Sequence, residues 1–464
     1  MSLKFAKVST WGRILAPQTR LEAACASGPH LDTVPNRLES AVVSRLMWRL
    51  MPFLFLLYIV AYLDRINMSF GVLQMRQQLG LSDLAVGRAG GMFFIGYFLF
   101  QLPSNLILEN FGVRRWISAL MVLWGIISCF MIFVRGPVSF YTMRFLLGAA
   151  EAGFFPGIIL YMKRWFPASA RALAVAWFMT ANPLAGVVGS PISGALLGLH
   201  GAGLAGWQWM FLIEGLPAIV LGGIVWATLA ENPRDAHWLQ GDERTWLLEK
   251  LDSEKLTEPA ISQGDFWKVL VSGRIWLLSI VYFSVSATMY GMSLWLPSVI
   301  QALSGMGYFW TSMVTVLPYL ATVAVMVLVG LSSDRTGERR WHTSIPAFIA
   351  AVGLILAGYG GHSTLLVVSG IGVGLAFAEG MCGPFWAMAT SRMEGLSAAA
   401  GIALVNSLAN LGGFFGPYII GFFRSENGGF RGGLLAIAAV LVVSGAVALL
   451  LGAGQTRSPR AVRS

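Results

Sequence analysis

Beyond residue 49 the chain alternates long apolar stretches with short polar interruptions. Crossing the ~30 Å hydrocarbon layer of a bilayer takes about 20 apolar residues in a helix. Twelve stretches meet that length, at roughly 50–72, 87–108, 116–135, 138–162, 172–198, 209–229, 275–300, 309–332, 343–361, 364–390, 397–421 and 432–454. Between the sixth and seventh lies a polar segment, Glu231 to Arg274. Its stretch 241–251 is patterned as an amphipathic surface helix. The first ~45 residues carry no sustained periodicity and read as a mobile tail, or as residues ahead of a later start codon. The first apolar run begins near Leu50 and is too long for a cleavable secretory signal. The expected organisation is a tail (1–48), a six-helix bundle (49–230), a linker (231–274), a second six-helix bundle (275–454) and a short tail (455–464). The fold class is an all-α membrane protein with twelve transmembrane helices.

Composition agrees. Of 464 residues, 56% are apolar and 12% charged, where a soluble domain carries about a quarter charged. With both termini in the cytoplasm, the 32 Lys and Arg fall on the cytoplasmic side except Arg76, Arg88, Arg135, Arg424 and Arg431 outside, and Arg65 and Arg144 within helices. That is the positive-inside pattern. It accounts for the net charge of +10 by contact with anionic lipid, without a nucleic-acid partner. Cys25, Cys129 and Cys382 are far apart and lack ligand spacing. No phosphate loop, zinc spacing or nucleophile elbow is present. No enzyme activity, metal or cofactor is therefore expected, and the protein is expected to act as a monomer.

The chain also repeats itself. The loop after the second helix reads Glu109-Asn110-Phe111-Gly112-Val113-Arg114-Arg115, and that after the eighth reads Asp334-Arg335-Thr336-Gly337-Glu338-Arg339-Arg340. Acid, Gly and the Arg pair recur at the same offsets, six helices apart. The fifth helix carries Gly186, Gly189, Pro191, Gly194 and Gly198; the eleventh carries Gly412, Gly413, Gly416, Pro417 and Gly421. Small residues let helices approach closely in lipid. Two six-helix pseudo-repeats around a midplane site suit alternating access.

Several segments have a specific likeness. Tyr62-Leu63-Asp64-Arg65-Ile66-Asn67 stands on the first helix, and Leu102-Pro103-Ser104-Asn105-Leu106 closes the second. Arg144-Phe145-Leu146-Leu147-Gly148-Ala149-Ala150-Glu151-Ala152-Gly153-Phe154-Phe155-Pro156-Gly157 forms the fourth. Gly383-Pro384-Phe385-Trp386-Ala387 lies on the tenth, and Asn406 to Gly413 on the eleventh. Over residues 45–450 the sequence resembles the major facilitator superfamily, and within it the anion:cation symporters, closest to tartrate and related carboxylate permeases. The resemblance implies the major facilitator fold, a bacterial inner-membrane location and import of an organic anion driven by the proton gradient. Phthalate and 4-hydroxyphenylacetate permeases share much of the pattern. The first loop departs from the family's Asp-Arg in having Glu109-Asn110.

Ionisable side chains at membrane depth are costly and usually face a cavity. Here they are Asp64, Arg65, Arg144, Glu151, Glu214 and Glu379. Arg144 and Glu151 lie two turns apart, on one face about 10 Å from each other. Asp64 falls at a depth between them, so all three are expected to line one cavity if both helices face it. A permanently charged guanidinium suits a carboxylate. Arg144 is the first candidate for binding the anion. Arg65, about 100° around the helix from Asp64, is a second candidate, or else a gate or ion-pair residue. Asp64 and Glu151 can gain and lose protons, and protonation would free an Arg for the substrate. The family resemblance supports those roles for Asp64, Arg144 and Glu151, against the plainer reading of structural ion pairs. Glu214 reads as an interhelical contact, and Glu379, midway along the tenth helix, either tunes substrate choice or simply faces polar neighbours.

Tyr97, Asn182, Tyr290, Asn406 and Asn410 are candidates to complete the pocket for a hydroxy acid, or simply to join helices. In the two repeated loops Glu109, Arg115, Asp334, Arg335 and Arg340 read as a cytoplasmic gate, whose acids bond a helix end in one state and release it in the other. The leading expectation is a proton-coupled carboxylate importer. An exporter, or a membrane sensor without transport, are the alternatives.

Overall fold

The computed structural model describes residues 37–256, 271–391 and 396–452. Among them every long element is a helix, and eleven are long and apolar enough to cross a membrane. In chain order these are Leu38–Gln78, Asp83–Leu108, Val113–Phe133, Pro137–Trp165, Ala168–Leu196, Gly206–Thr228, Gly273–Ser304, Tyr308–Thr336, Arg340–Tyr359, Thr364–Thr390 and Arg431–Leu451. A further helix of 32 residues, Leu396–Asn427, stands where the eleventh span was expected. At 1.5 Å per residue it is about 48 Å long, enough to span. The spans are counted from first to twelfth below.

Three spans are interrupted. The fourth breaks at Ala152–Gly153, directly after Glu151. The fifth breaks at Thr180 and the tenth at Met381. Irregular backbone at membrane depth is tolerated where protein or a cavity covers it.

The packing repeats with a shift of six. The third span packs on the sixth as the ninth does on the twelfth. The second packs on the fourth as the eighth does on the tenth, and the first on the fifth as the seventh on the eleventh. The halves meet through two equivalent pairs, second with eleventh and fifth with eighth, and through the first and seventh. Part of the repeated Gly-Pro set serves these joints, while Gly189, Gly412 and Gly416 pack against the first and seventh spans of their own halves. A Cβ on Gly186 would stand 2.7 Å from the Tyr319 ring of the eighth span. One on Gly87 of the second would stand 2.7 Å from the Pro417 carbonyl oxygen of the eleventh. Gly194 abuts Ser312, and Gly421 abuts the backbone of Asp83. These contacts lie toward the end of the bundle away from the linker, so the halves are sealed on that face. There Asp83 pairs with Arg76 (2.7 Å) and, across the halves, with Arg424 (3.3 Å).

The first helix begins at Arg37, well before the expected start of the bundle at residue 49. Val42, Leu46 and Leu50 recur every four residues and are buried, while Arg45 and Arg49 stay exposed. That stripe packs the extension against the other helices of the linker face, and Arg45 pairs with Glu243 at 2.6 Å. The linker helix is present and runs Gly241–Leu256. Glu254 on it accepts from the backbone N–H of Ala168 at the start of the fifth span. The remaining expected tail and the C-terminal tail lie outside the described residues.

Candidate functional site

At the middle of the bundle a cavity is lined from both halves. The first span supplies Tyr62 and Arg65, the second Phe93 and Phe94, the fourth Arg144 and the fifth Asn182. Facing them are Tyr290 and Ser293 of the seventh span, Tyr319 of the eighth and Glu379 of the tenth. Two guanidiniums therefore share a largely aromatic chamber.

Arg65 is held from several directions. Its Nε donates to Glu151 Oε2 at 3.0 Å. Its Nη1 donates to the Tyr290 hydroxyl, 3.3 Å away in the opposite half. The guanidinium also lies 5.0–5.3 Å from the ring centres of Tyr62, Phe93 and Tyr97. Arg144 sits 4.8 Å from the same Phe93 ring. It is buried, and its Nε and Nη1 have no hydrogen-bond partner among the described residues. The close approach of the second and fourth spans places it there. Gly148, one turn beyond Arg144, lies against the Phe93 backbone with no room for a Cβ. Two cations beside one ring repel each other, and of the two only Arg65 forms an ion pair among the described residues. A negative charge placed between the two guanidiniums would offset that repulsion.

Asp64 does not line the cavity as expected. Its Oδ1 accepts from Ser128 of the third span (2.6 Å) and from Asn67 (3.2 Å), and it is fully buried. The cause is the helical step of about 100° between neighbours. When Arg65 faces the chamber, Asp64 must turn behind it. Glu151 reaches the chamber only through Arg65, and its Oε1 is unpartnered. The structure thus brings Arg65, Arg144 and Glu151 together and sets Asp64 in a layer behind them.

Of the neutral candidates, Asn182 and Tyr290 line the cavity, and Tyr97 lies under Arg65. Asn406 and Asn410 are half-buried and are not among its lining residues. Glu214 accepts from Ser193 at 2.7 Å, a contact between the sixth and fifth spans.

The linker-face loops look different from the expected gate. The Glu109 side chain lies outside the described residues, Arg115 is exposed and Arg335 is exposed. Asp334 pairs with Arg339 at 2.6 Å, and the Glu338 carboxylate accepts from the Arg340 backbone N–H. The acid that caps the third span is Glu231, from just beyond the sixth. It accepts from the N–H groups of Val113 (2.7 Å) and Arg114 (3.0 Å) and pairs with Arg164 at 3.1 Å. Sequence reading missed Glu231 because its partners at the third span lie more than a hundred residues away. It missed Asp83, the inter-half acid of the sealed face, for the same reason. An acid in the first turn of a helix, behind the N-cap Ser82, was the available signal for Asp83.

Residues 54–417 match the family model of the Major Facilitator Superfamily. The chain belongs to this superfamily. It is a membrane transporter and not an enzyme. It is 46% identical over 417 residues to a putative tartrate transporter of Agrobacterium vitis, covering 89% of this chain and 95% of that one. It is 35% identical over 405 residues to a quinolone resistance transporter of Acinetobacter baumannii, covering 87% and 93%. A solved bacterial homologue of the lysosomal transporter Spinster, in an inward-facing and occupied conformation, superimposes with a TM-score of 0.72 at 18% identity, over 88% of this chain and 97% of that one. At that identity the likeness speaks to the major facilitator fold alone.

Proposed function

We propose that this transporter carries a small carboxylate, of the tartrate type, into a bacterial cell together with protons. The observation that carries the reading is the pair of guanidiniums at the chamber wall, one bound to Glu151 and the other with two unpartnered nitrogens. An anion seated on Arg144 satisfies those nitrogens by a charge-assisted fork. Protonation of Glu151 releases Arg65, and a substrate carboxylate takes its place. Anion and proton then load together, because the anion competes with the ionised acid for one guanidinium. Arg65 also bonds Tyr290 of the other half. Substrate on Arg65 weakens that cross-half bond and so links loading to the rocking of the halves. Asp64, behind Arg65, is a second proton-holding group within electrostatic reach of Glu151 and Arg144.

The basic face is read as cytoplasmic by the positive-inside rule. The face sealed by Asp83 and Arg424 is then the outer one. A helical bundle with bacterial relatives fits the inner membrane, since outer-membrane proteins of bacteria are barrels. The glycine joints of the sealed face are the parts expected to open and close.

The relative named for quinolone resistance favours a second reading, export of a larger carboxylate. Proteoliposome uptake separates the two. Under an inward proton gradient an importer accumulates tartrate, or whichever small carboxylate it carries, and Arg144→Ala abolishes uptake. Accumulation by Arg144→Ala equal to wild type, or proton-driven loss of the acid from the lumen, overturns the import reading.

A further inference from the structure

Glu379 belongs to the chamber and to none of the machinery above. It is 6% exposed, lines the cavity across from the two guanidiniums, and no hydrogen bond or ion pair to its carboxylate occurs among the described residues. Its place is not accidental. The fourth span reads Ala150-Glu151 followed by Pro156, and the tenth reads Ala378-Glu379 followed by Pro384. Ala-Glu-x4-Pro thus recurs at the same offsets in spans related by the six-helix repeat. Both spans break within two residues of the acid, at Ala152 and at Met381. Glu379 is the counterpart of Glu151 in the second half. The difference lies in the partner. Glu151 has Arg65, whereas the position seven residues before Glu379, matching Arg144, is Gly372, and the seventh span carries no Lys or Arg beyond Arg274.

We propose that Glu379 is the second half's proton-carrying substrate contact: protonated, it donates a hydrogen bond to the far polar end of an anion seated on the guanidiniums; ionised, it repels that end. The proposal rests on the carboxylate reading above. An ionised carboxylate buried without a cation is expensive, and a second carboxylate of the substrate would meet it as a like charge. A carboxylic acid at the same place offers a donor directed into the cavity. The groups facing it are Tyr319 of the eighth span, Tyr290 of the seventh, Cys382 on its own span, and Arg65 and Arg144 across the chamber. Between His342 and Tyr359 the ninth span has no titratable residue. None of these neighbours supplies a positive charge from the second half. A dicarboxylate bound here therefore brings one proton on Glu379 in addition to any on Glu151.

The test is the pH profile of tartrate KM in proteoliposomes for wild type and Glu379→Gln. Each proton that must be bound with the substrate makes KM rise tenfold per pH unit on the alkaline side. The expected result is a wild-type rise that is shallower by about one log unit per pH unit in Glu379→Gln, with KM at acid pH changed little. Equal slopes in the two proteins overturn the proposal. So does a folded Glu379→Gln that binds no tartrate at any pH, because the neutral amide still offers a donor and should seat the anion as the protonated acid does. Melting of the purified variants reports folding. Should Glu379→Gln fail to fold, Glu379→Asp is read instead: its KM rises several-fold while the slope stays, and a wild-type KM at every pH overturns the contact. Wild-type uptake of tartrate is measured first. Its absence counts against the carboxylate reading, whereas unchanged slopes count against Glu379 alone.

Discussion

Replacing Glu151 by Gln removes one negative charge from the chamber and leaves the shape nearly intact. In the structure Glu151 Oε2 sits 3.0 Å from Arg65 Nε, with the acid 1% and the guanidinium 15% exposed. A pair at about 3–4 Å attracts by roughly 4–5 kcal/mol at an effective dielectric of 20. Desolvation of both partners offsets most of that. What a competing anion regains when the acid is neutral is then about 1–3 kcal/mol, a 5- to 150-fold tighter Kd at ~1.4 kcal/mol per factor of ten. The amide still accepts from Arg65, so folding is expected to survive. Two readouts follow. Tartrate binding to the purified Glu151→Gln variant, measured by calorimetry at neutral pH, tightens by that factor. In proteoliposomes the variant exchanges labelled for unlabelled substrate but does not concentrate it under an imposed pH gradient. Wild-type accumulation together with an unchanged Kd would remove Glu151 from the coupling and refute the competition between acid and cargo.

Other parts of the account can be tested separately. Gly87→Val forces a side chain against the Pro417 carbonyl oxygen, and overpacking of this kind costs about 1–3 kcal/mol in the sealed conformation alone. A cysteine placed at Tyr418 should therefore label faster with an impermeant maleimide from the outer face; an unchanged rate would contradict the sealing role of the joint. Asp83→Asn loses the pairs with Arg76 and Arg424 and should shift labelling the same way, by less and more weakly at high salt, since these side chains are partly exposed. Glu231→Gln gives up the charge on two bonds to backbone N–H groups and the pair with Arg164. Charged hydrogen bonds of this sort are worth about 1.5–3 kcal/mol each, so the purified variant should melt several degrees lower, and an equal Tm would show the cap to be idle.

The spans were legible in the sequence because a water-soluble fold rarely contains an unbroken apolar run of membrane length, and this chain contains twelve. The Gly-Pro repeat was legible too, and part of it, Gly186, Gly194, Gly413, Pro417 and Gly421, marks the joints where the halves touch. Arg144 and Glu151 could be placed on one face by counting turns. The direction in which that face points could not be counted. Asp64 and Arg65 are neighbours, and which one enters the chamber depends on how the first span is rotated against the second, third and fourth. Contacts distant in the chain, such as Glu231 with Val113 and Asp83 with Arg424, leave no local pattern. Some signals were present and unused. Val42, Leu46 and Leu50 announce a helix ahead of the first apolar run, and Ala-Glu-x4-Pro announces Glu379 as the partner of Glu151 in the repeat.

Proton uptake on binding puts the central claim to its most direct trial. Tartrate, or the carboxylate that the wild type carries, is added at matched pH to purified protein in weakly buffered detergent, and the pH of the solution is followed. The account predicts alkalinisation as the anion displaces Glu151 from Arg65, reduced in Glu151→Gln and absent in Arg144→Ala, which no longer seats the anion. Saturable binding to the wild type with no proton taken up at any pH would contradict it.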